Sequence, residues 1–292
     1  MKTVPRGIGR KCIRKLSTIR HLALDMDGTL YLGSRLFPCT VPFLRGLEAS
    51  GIGFTFLTNN SSRSRDDYLR KLKKMGVPAT ADQVLTSTHA TADYLRRELP
   101  GARRLFVLGT PGMQCELGSL GFLSCEDEPD AVLVGFDMTL GYERLCRAAW
   151  WISQGRPFIA THPDLVCPTD QPTVLVDCGA ICRALESATG VSPVVVGKPD
   201  PRMLAPICAR HNLRMDQVAM IGDRLTTDVA MARASGALAV LVLTGEATLA
   251  DLETLPPRQR PDLVVGDVGE LGKLIHEATA TGVSGNRYTG RT

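Results

Sequence analysis

Four short runs of apolar residues in this chain share one feature, which is that each ends in polar side chains. The runs span residues 21–24, 54–57, 194–196 and 218–221. They are too continuous to alternate between apolar and polar positions, which is typical of strands buried on both faces of a parallel sheet. We therefore predict an α/β fold in which these runs are strands of one parallel sheet covered by helices.

The polar residues after these runs are of the kinds that phosphate and metal chemistry uses. They are Asp25 and Asp27, then Thr58 and Asn59, then Lys198, and finally Asp223 and Asp228. Ligands of open α/β sheets bind outside the carboxyl ends of the strands. We therefore expect these side chains to meet at one edge of the sheet.

The first acidic pair, Asp25 and Asp27, is two residues apart and is followed by Gly28. Residues i and i+2 of a strand point the same way, and a glycine allows the sharp turn that follows. Two close carboxylates favour either a bound cation or one retained proton. A calcium loop would need further ligands at alternate positions and a closing Glu, whereas Thr-Leu-Tyr-Leu follows at 29–32, so that interpretation is excluded.

Each of the other polar residues also has a structural alternative. Thr58 would serve as the N-cap of a helix over 63–75, and Lys198 as a solvated loop lysine. Asp223 and Asp228 would serve as turn or cap residues. A phosphate-cradling nucleotide loop is excluded at Lys198, because Pro199 stands where that motif needs Ser or Thr. The four polar ends taken together favour one functional constellation.

The combination Asp25-x-Asp27-Gly-Thr, Thr58, Lys198-Pro and Gly-Asp223-x4-Asp228 resembles the haloacid-dehalogenase (HAD) superfamily of phosphatases. It is more closely similar to subclass IIA, which includes 4-nitrophenylphosphatase-like, nucleotide-phosphatase and phosphoglycolate-phosphatase-like enzymes. The resemblance covers roughly residues 20–270. It implies a Rossmann-like, doubly wound parallel-sheet core with an inserted α/β cap domain of the C2 type.

The resemblance also implies roles for the acidic residues. Asp25 would be the nucleophile that forms an aspartyl-phosphate, and Asp27 the general acid and then the general base. Mg²⁺ would be held by the Asp25 carboxylate, the Asp27 backbone carbonyl and the Asp223 carboxylate. Asp228 would orient the metal shell. The expected enzyme is a HAD-type phosphoric monoester hydrolase acting on a small phosphorylated metabolite.

Three further residues are implied to bind the phosphoryl group. Thr58 and the backbone amide of Asn59 would contact its oxygens. Lys198 would neutralise charge on the transferring group and on Asp25.

The spacing between the motifs predicts an insertion. Residues 58 and 198 are 140 positions apart, whereas a whole βαβ unit takes roughly 30 residues. We expect a catalytic core at 20–90 and 190–278, with an α/β cap domain at 91–189 over the active site. The cap would contain strands at 104–109, 131–137 and 158–161 and a helix at 143–154. We also expect a disordered basic leader at 1–19 and a flexible tail at 279–292.

Three cap segments are expected to select the substrate, because similar segments face the core in subclass IIA. They are 137–140, 161–164 and 177–182. His162 stands where relatives commonly carry Asn in a Thr-Asn-Pro-Asp run, so the polarity of the substrate pocket stays open. A zinc site built from His162, Cys167, Cys178 and Cys182 is disfavoured, because a second closely spaced ligand pair is missing.

Composition indicates the cellular compartment and the kinds of partner that we expect for this protein. Nine cysteines, odd in number and scattered over 292 residues, favour reduced thiols in a cytoplasm. No apolar stretch approaches the roughly 18 residues of a membrane span. The formal net charge is +4, but the first 20 residues hold seven basic and no acidic residues, which leaves 27 basic against 30 acidic residues elsewhere. We therefore expect no nucleic-acid or membrane partner, with a transit-like or anionic-surface contact of the leader as the alternative. The resemblance makes a homodimer possible.

Alternative functions stay open at this point. A phosphotransferase or phosphomutase, or a dehalogenase, can use the same fold. A mutase commonly carries an insert between the first two motifs, where this chain has no room, and a dehalogenase needs neither Mg²⁺ nor the acid at position 27. A non-catalytic phospholigand-binding protein would not require a nucleophile and an acid in register. The phosphorylated substrate itself cannot be chosen from sequence among nucleoside monophosphates, sugar phosphates, phosphoglycolate, glycerol phosphate and pyridoxal phosphate.

Overall fold

The computed structural model describes residues 10–167 and 172–284 and divides them into two compact units. The first unit contains residues up to 56, residues 75–77 and residues from 204 onward. The second contains residues 57–74 and 78–203. The chain passes from the first unit into the second within the strand Gly53–Thr58.

The first unit is built on a sheet whose strands are almost entirely buried. His21–Asp25 pairs in parallel with Val218–Gly222, which pairs with Leu238–Val242, which in turn pairs with Leu263–Val265. In the strand order, Gly53–Thr58 lies on the other side of His21–Asp25. All residues of the strands at 21–25 and 218–222 are buried, as the continuous apolar runs predicted, and those of the strand at 238–242, which was not predicted, are buried too.

Helices and short elements complete this unit. Its α-helices are Arg10–Thr18, Thr40–Ala49, Ala205–His211, Ala230–Ser235, Leu249–Thr254 and Val268–Ser284. An antiparallel hairpin joins Tyr31–Leu32 to Arg35–Leu36, and 3₁₀ turns lie at Met215–Gln217 and Pro257–Gln259. A π-helical turn covers Leu225–Val229.

The register of two central strands brings the first and last acidic motifs together. Leu24 lies opposite Ile221 across the parallel pair. Asp25 and Asp223 therefore leave the sheet side by side at the same edge, where the carboxyl ends of parallel strands collect. This part of the predicted convergence follows directly from strand order.

The leader is more ordered than the prediction over 1–19. Arg10–Thr18 is a helix that packs on Val268–Ser284. Leu16 and Ile19 are each 1% exposed, and Lys15 Nζ lies 2.7 Å from Asp262 Oδ1. The high basic content concealed this buried apolar contact. Similarly, the final helix continues to Ser284 through the start of the predicted tail at 279–292, while residues 1–9 and 285–292 lie outside the described residues.

The second unit contains a five-stranded sheet that is parallel throughout. Its strand order is Val194–Val195, Phe158–Ala160, Ala131–Val134, Arg104–Leu108 and Leu123–Ser124. Its α-helices are Arg65–Lys74, Ser87–Glu98, Pro111–Ser119, Tyr142–Ser153 and Cys178–Thr189. The remaining elements are the strand Val84–Thr86, the 3₁₀ turns Ala81–Gln83 and Pro201–Leu204, and an antiparallel hairpin of Val166–Cys167 with Leu175–Val176.

The core of the second unit explains why its helices form. Tyr142–Ser153 buries Ala148 and Ile152, four residues apart on one helical face, against the central strands. Trp151 packs partly on this core, while Trp150 is 60% exposed. The predicted helix at 143–154 agrees with the structure to within one residue at each end.

The third apolar run lies in a different sheet from the one predicted. Val194 pairs with Ile159 in the sheet of the second unit, and this unit extends to Met203 rather than ending at 189. The strand has only two residues, and Val194 is 42% exposed, so it is an edge strand and not a strand buried on both faces. An apolar run carries no information on which of two sheets it joins.

Both units combine parallel strands with helices, which confirms the predicted Rossmann-like α/β class with a second α/β module inserted into the first. None of the helices in the described part of the chain has both the length and the apolar character needed to cross a membrane.

Candidate active site

Asp25 ends the buried strand His21–Asp25 and is 8% exposed. The chain turns immediately after it, with Leu30 N donating to Met26 O at 2.9 Å and Gly28 N donating to Tyr31 O at 2.7 Å. Thr29 Oγ1 donates to Asp25 Oδ2 at 3.3 Å. This turn needs Gly28, whose φ is +85°, because other residues rarely adopt that conformation.

Asp27 does not share the environment of Asp25. The strand ends at Asp25, so the alternation of a strand does not extend across the pair, and Asp27 is exposed. Its Oδ1 accepts a hydrogen bond from Gly33 N at 3.3 Å. The shared direction of the two side chains, which was predicted from strand alternation, therefore stays a prediction. Only the carboxylate of Asp25 joins the acidic group described next.

Asp223 and Asp228 complete a group of three buried carboxylates with Asp25. One carboxylate oxygen of each residue lies within 4.8 Å of the others, and the three residues are between 1% and 8% exposed. Asp223 follows the strand Val218–Gly222, and its Oδ2 accepts from Glu246 N at 2.8 Å. Asp228 lies in the π-helical turn, and its Oδ2 accepts from Arg224 N at 3.2 Å.

Glycines surround these carboxylates where no larger residue would fit. A Cβ on Gly28 would lie 2.4 Å from Asp223 Oδ2, and one on Gly245 would lie 1.9 Å from the same atom. A Cβ on Gly222 would lie 2.2 Å from Asp228 Cγ. The backbone therefore approaches both carboxylates closely and forms a cradle around them.

The acidic group fits a divalent cation. Three carboxylates at this separation, with little exposure to water, repel one another unless a positive charge or a proton is shared among them. A set of oxygen donors suits a hard cation such as Mg²⁺. The donor set is thus chemically compatible with the metal that the motifs implied.

The predicted phosphoryl-binding residues lie in the second unit. Thr58, Asn59 and Lys198 are 8%, 7% and 3% exposed. Thr58 Oγ1 accepts from Asn60 N at 3.2 Å. The side chain of Asn59 pairs with the backbone of Lys198, an interaction that sequence analysis missed because the two residues are 139 positions apart. Asp164, which also contacts Asn59, was missed for the same reason.

His162 is fully buried and lies near the carboxylates of Asp164 and Asp177. Its Nε2 is 2.9 Å from Asp177 Oδ1, and its Nδ1 is 2.8 Å from Thr161 Oγ1. Burial lowers the pKa of His162, but the neighbouring Cys178 and the hydrogen bond to Asp177 outweigh burial and raise it above its ordinary value. These contacts therefore favour the protonated form of His162.

Ring and carboxylate atoms of His162, Asp164 and Asp177 lie within 4.8 Å of one another, which is also compatible with a metal site. Both ring nitrogens already have hydrogen-bond partners, and Asp177 caps the helix Cys178–Thr189 by accepting from Cys178 N at 2.6 Å. A hydrogen-bonded ion pair accounts for these contacts without a metal. The disfavoured zinc alternative gains no support.

Comparison with known proteins identifies the family. Residues 22–123 match the haloacid dehalogenase-like hydrolase family, and residues 195–271 match a family described as HAD-hydrolase-like. An acid sugar phosphatase of Staphylococcus aureus is 34% identical over 237 residues, which is 80% of this chain and 91% of the relative.

Similar solved structures indicate the same family. The 4-nitrophenylphosphatase of Thermotoga maritima is similar with a TM-score of 0.84 and 41% identity, over 89% of this chain and 98% of that one. A glycerol phosphate phosphatase of Mycobacterium tuberculosis, solved in complex with magnesium, has a TM-score of 0.81 and 32% identity, over 88% and 78% of the two chains. The predicted class of enzyme, a HAD-type phosphoric monoester hydrolase, is confirmed. The chain belongs to the haloacid dehalogenase-like hydrolase family, within the subclass IIA group of phosphatases that its motifs resemble.

Proposed function

We propose that this protein is a Mg²⁺-dependent phosphatase that hydrolyses a small-molecule phosphate monoester through an aspartyl-phosphate intermediate. The observation that carries the proposal is the group of three buried carboxylates, Asp25, Asp223 and Asp228, within 4.8 Å of one another. Three carboxylates can hold a cation, and a phosphatase needs positive charge to offset the negative charge of its own nucleophile and of an anionic substrate.

Asp25 is the proposed nucleophile. One of its carboxylate oxygens forms a bond to phosphorus while the bond from phosphorus to the leaving oxygen breaks. The hydrogen bond from Thr29 Oγ1 to Asp25 Oδ2 at 3.3 Å favours one orientation of the carboxylate. The low exposure of Asp25 strengthens its electrostatic interaction with a bound cation.

Asp27 is the proposed general acid and base. It gives a proton to the leaving oxygen and then takes one from the water that attacks the aspartyl-phosphate. Its exposure, in contrast to the burial of Asp25, leaves its carboxyl group accessible to a substrate and to water. The two acids therefore have different environments that suit different tasks.

The metal would be held by the carboxylates of Asp25 and Asp223 and by the backbone carbonyl of Asp27, with Asp228 orienting the shell. When bound, Mg²⁺ would offset the repulsion between an anionic nucleophile and an anionic phosphoryl group. The donor chemistry and the glycine cradle support this assignment. The similar Mycobacterium tuberculosis phosphatase was solved with magnesium.

Thr58, the backbone amide of Asn59 and Lys198 are proposed to bind the phosphoryl oxygens. A hydroxyl, an amide and an ammonium group are suitable donors for a transferring phosphoryl group. Their low exposure supports a role in a desolvated site.

The proposed substrate class is a small phosphorylated metabolite. The similar proteins include an acid sugar phosphatase, a 4-nitrophenylphosphatase and a glycerol phosphate phosphatase, all named for small phosphate monoesters. All nine cysteines are free thiols, which supports the proposed cytoplasmic setting.

The test measures phosphate release from a panel of sugar phosphates, glycerol phosphate and 4-nitrophenyl phosphate, with Mg²⁺ present. We expect turnover of at least one compound, reversible silencing by a chelator, and loss of turnover in Asp25→Asn. Acid-quenched wild-type protein mixed with a ³²P-labelled substrate should carry a hydroxylamine-labile label that Asp25→Asn lacks. Turnover by Asp25→Asn at the wild-type rate, or activity unaffected by chelation, would refute the proposal.

A further inference from the structure

The carboxamide of Asn59 holds the backbone of Lys198 on both of its polar groups. Asn59 Oδ1 accepts from Lys198 N at 2.8 Å, and Asn59 Nδ2 donates to Lys198 O at 3.0 Å. The carboxamide therefore makes the two hydrogen bonds that the backbone of a neighbouring strand would make, at a point where the chain has left the sheet. Both residues are less than 10% exposed.

Asp164 fixes which way round this carboxamide lies. Asn59 Nδ2 also donates to Asp164 Oδ2 at 3.0 Å. An ionised carboxylate only accepts hydrogen bonds, so the NH₂ group of Asn59 must face Asp164 and its oxygen must face Lys198 N. A flipped amide would put its oxygen against both Asp164 and Lys198 O, which are acceptors.

The surroundings restrain both ends of this contact. Gly197 N donates to Thr161 O at 2.8 Å, and a Cβ on Gly197 would lie 2.3 Å from that oxygen. Ser87 Oγ donates to Asn59 O at 2.5 Å. The backbone from which the Lys198 side chain starts is therefore held by contacts from several separate segments of the second unit.

We infer that the Asn59 carboxamide, oriented by Asp164, is a positioning residue for Lys198. This inference rests on the proposed function, in which Lys198 neutralises charge on the transferring phosphoryl group. A lysine side chain has many rotamers that must be ordered for catalysis, and a backbone that is already held in place leaves only the side chain to be ordered. Asn59 then has two roles: its side chain positions Lys198, and its backbone amide makes the proposed contact with the substrate.

The kinetic test uses variants that change the carboxamide but little of its shape. We expect Asn59→Asp to lower kcat/KM by roughly 10²-fold, mainly through kcat, as a misplacement of about 1 Å can do. Its carboxylate has no N–H group for Lys198 O and would repel Asp164. Asp164→Ala should also lose activity, and Asp164→Asn should lose less than Asp164→Ala, because an amide oxygen can still accept from Asn59.

A double-variant cycle separates positioning from a structural role. We expect Lys198→Ala to cost roughly 10²- to 10³-fold in kcat. If Asn59 acts through Lys198, adding Asn59→Asp to Lys198→Ala should cost less than about threefold more. Full additivity of the two losses, or wild-type kcat/KM in Asn59→Asp, would overturn the inference.

Hydrogen exchange at the Lys198 backbone amide tests the contact without any assay of activity. We expect Asn59→Ala to speed this exchange at least tenfold under native conditions. Ser61→Ala is the matched control, since it removes buried hydrogen bonds to Phe136 N and Thr161 Oγ1 nearby and should leave Lys198 protected. Unchanged exchange in Asn59→Ala would refute the contact. A wild-type protein that releases no phosphate would instead refute the proposed function, while this measurement would still report on the contact.

Discussion

Gly245→Ala should displace the Asp223 carboxylate, because the added methyl group would overlap with it by a distance that the structure gives. The added Cβ would lie 1.9 Å from Asp223 Oδ2, whereas ordinary van der Waals contact begins at 3.4 Å, so the carboxylate must withdraw by about 1.5 Å. The φ of Gly245 is not in the left-handed region, so alanine fits the backbone itself. The steric overlap must therefore be relieved by movement of Asp223.

We expect Gly245→Ala to lower the affinity for Mg²⁺ more than it lowers the stability of the fold. Disturbing the groups that orient a metal ligand typically costs 10- to 100-fold in affinity or activity, and we expect a loss of about this size in the affinity for Mg²⁺. The hydrogen bond from Glu246 N to Asp223 Oδ2 would be lost with the movement. Higher Mg²⁺ concentration should restore part of the phosphatase activity.

The assay is Mg²⁺ titration by calorimetry, together with phosphate release as a function of Mg²⁺ concentration. Gly118→Ala is the matched control, because Gly118 lies in a helix and a Cβ there meets nothing within 4 Å. It should bind Mg²⁺ as the wild type does. If Gly245→Ala binds Mg²⁺ and turns over substrate at wild-type concentrations of the metal, then Asp223 is not part of the metal site.

Two other changes test the acid–base and titration arguments. Asp27→Asn should slow both formation and hydrolysis of the aspartyl-phosphate by roughly 10²- to 10⁴-fold; single-turnover kinetics check this, and an unaffected hydrolysis step would contradict the role of a base. Burial first, and then the charge of the stacked His211, lower the pKa of His21 from 6.5 to about 4. Because unfolding releases His21 to take up a proton below pH 6.5, folding should lose about 2 kcal/mol between pH 7 and pH 5. Urea unfolding of wild type against His21→Gln measures this loss, and a His21 NMR titration midpoint near 6.5 would rule it out.

The acidic half of the candidate site could be predicted from sequence because it depends on local pattern. A continuous apolar run predicts a buried strand, and the polar residue that ends it lies at the carboxyl edge of the sheet. Asp25 and Asp223 follow two such runs, and their strands are direct neighbours. Asp228 followed from its motif spacing, but the π-helical turn that carries it did not, because one extra residue in a helical turn leaves no sign in the apolar pattern.

Contacts between distant segments could not be predicted in the same way. The two-residue strand Val194–Val195 was assigned to the wrong sheet, since its composition fits either one. The Asn59 carboxamide and Asp164 are 105 positions apart, and nothing in either local sequence specifies the other. The helix Arg10–Thr18 was missed because its charged residues outnumber the few apolar residues that it buries.

The division of the site residues between two units makes metal binding and phosphoryl binding separable by experiment. Asp25, Asp223 and Asp228 all belong to the first unit, whereas Lys198 belongs to the second. Removing a cation cannot weaken the attraction of three carboxylates for Mg²⁺. Lys198→Ala should therefore bind Mg²⁺ at least as tightly as the wild type while its turnover falls. If Lys198→Ala loses Mg²⁺ affinity along with turnover, the metal site depends on the second unit, and the assignment of its ligands to the three carboxylates is incomplete.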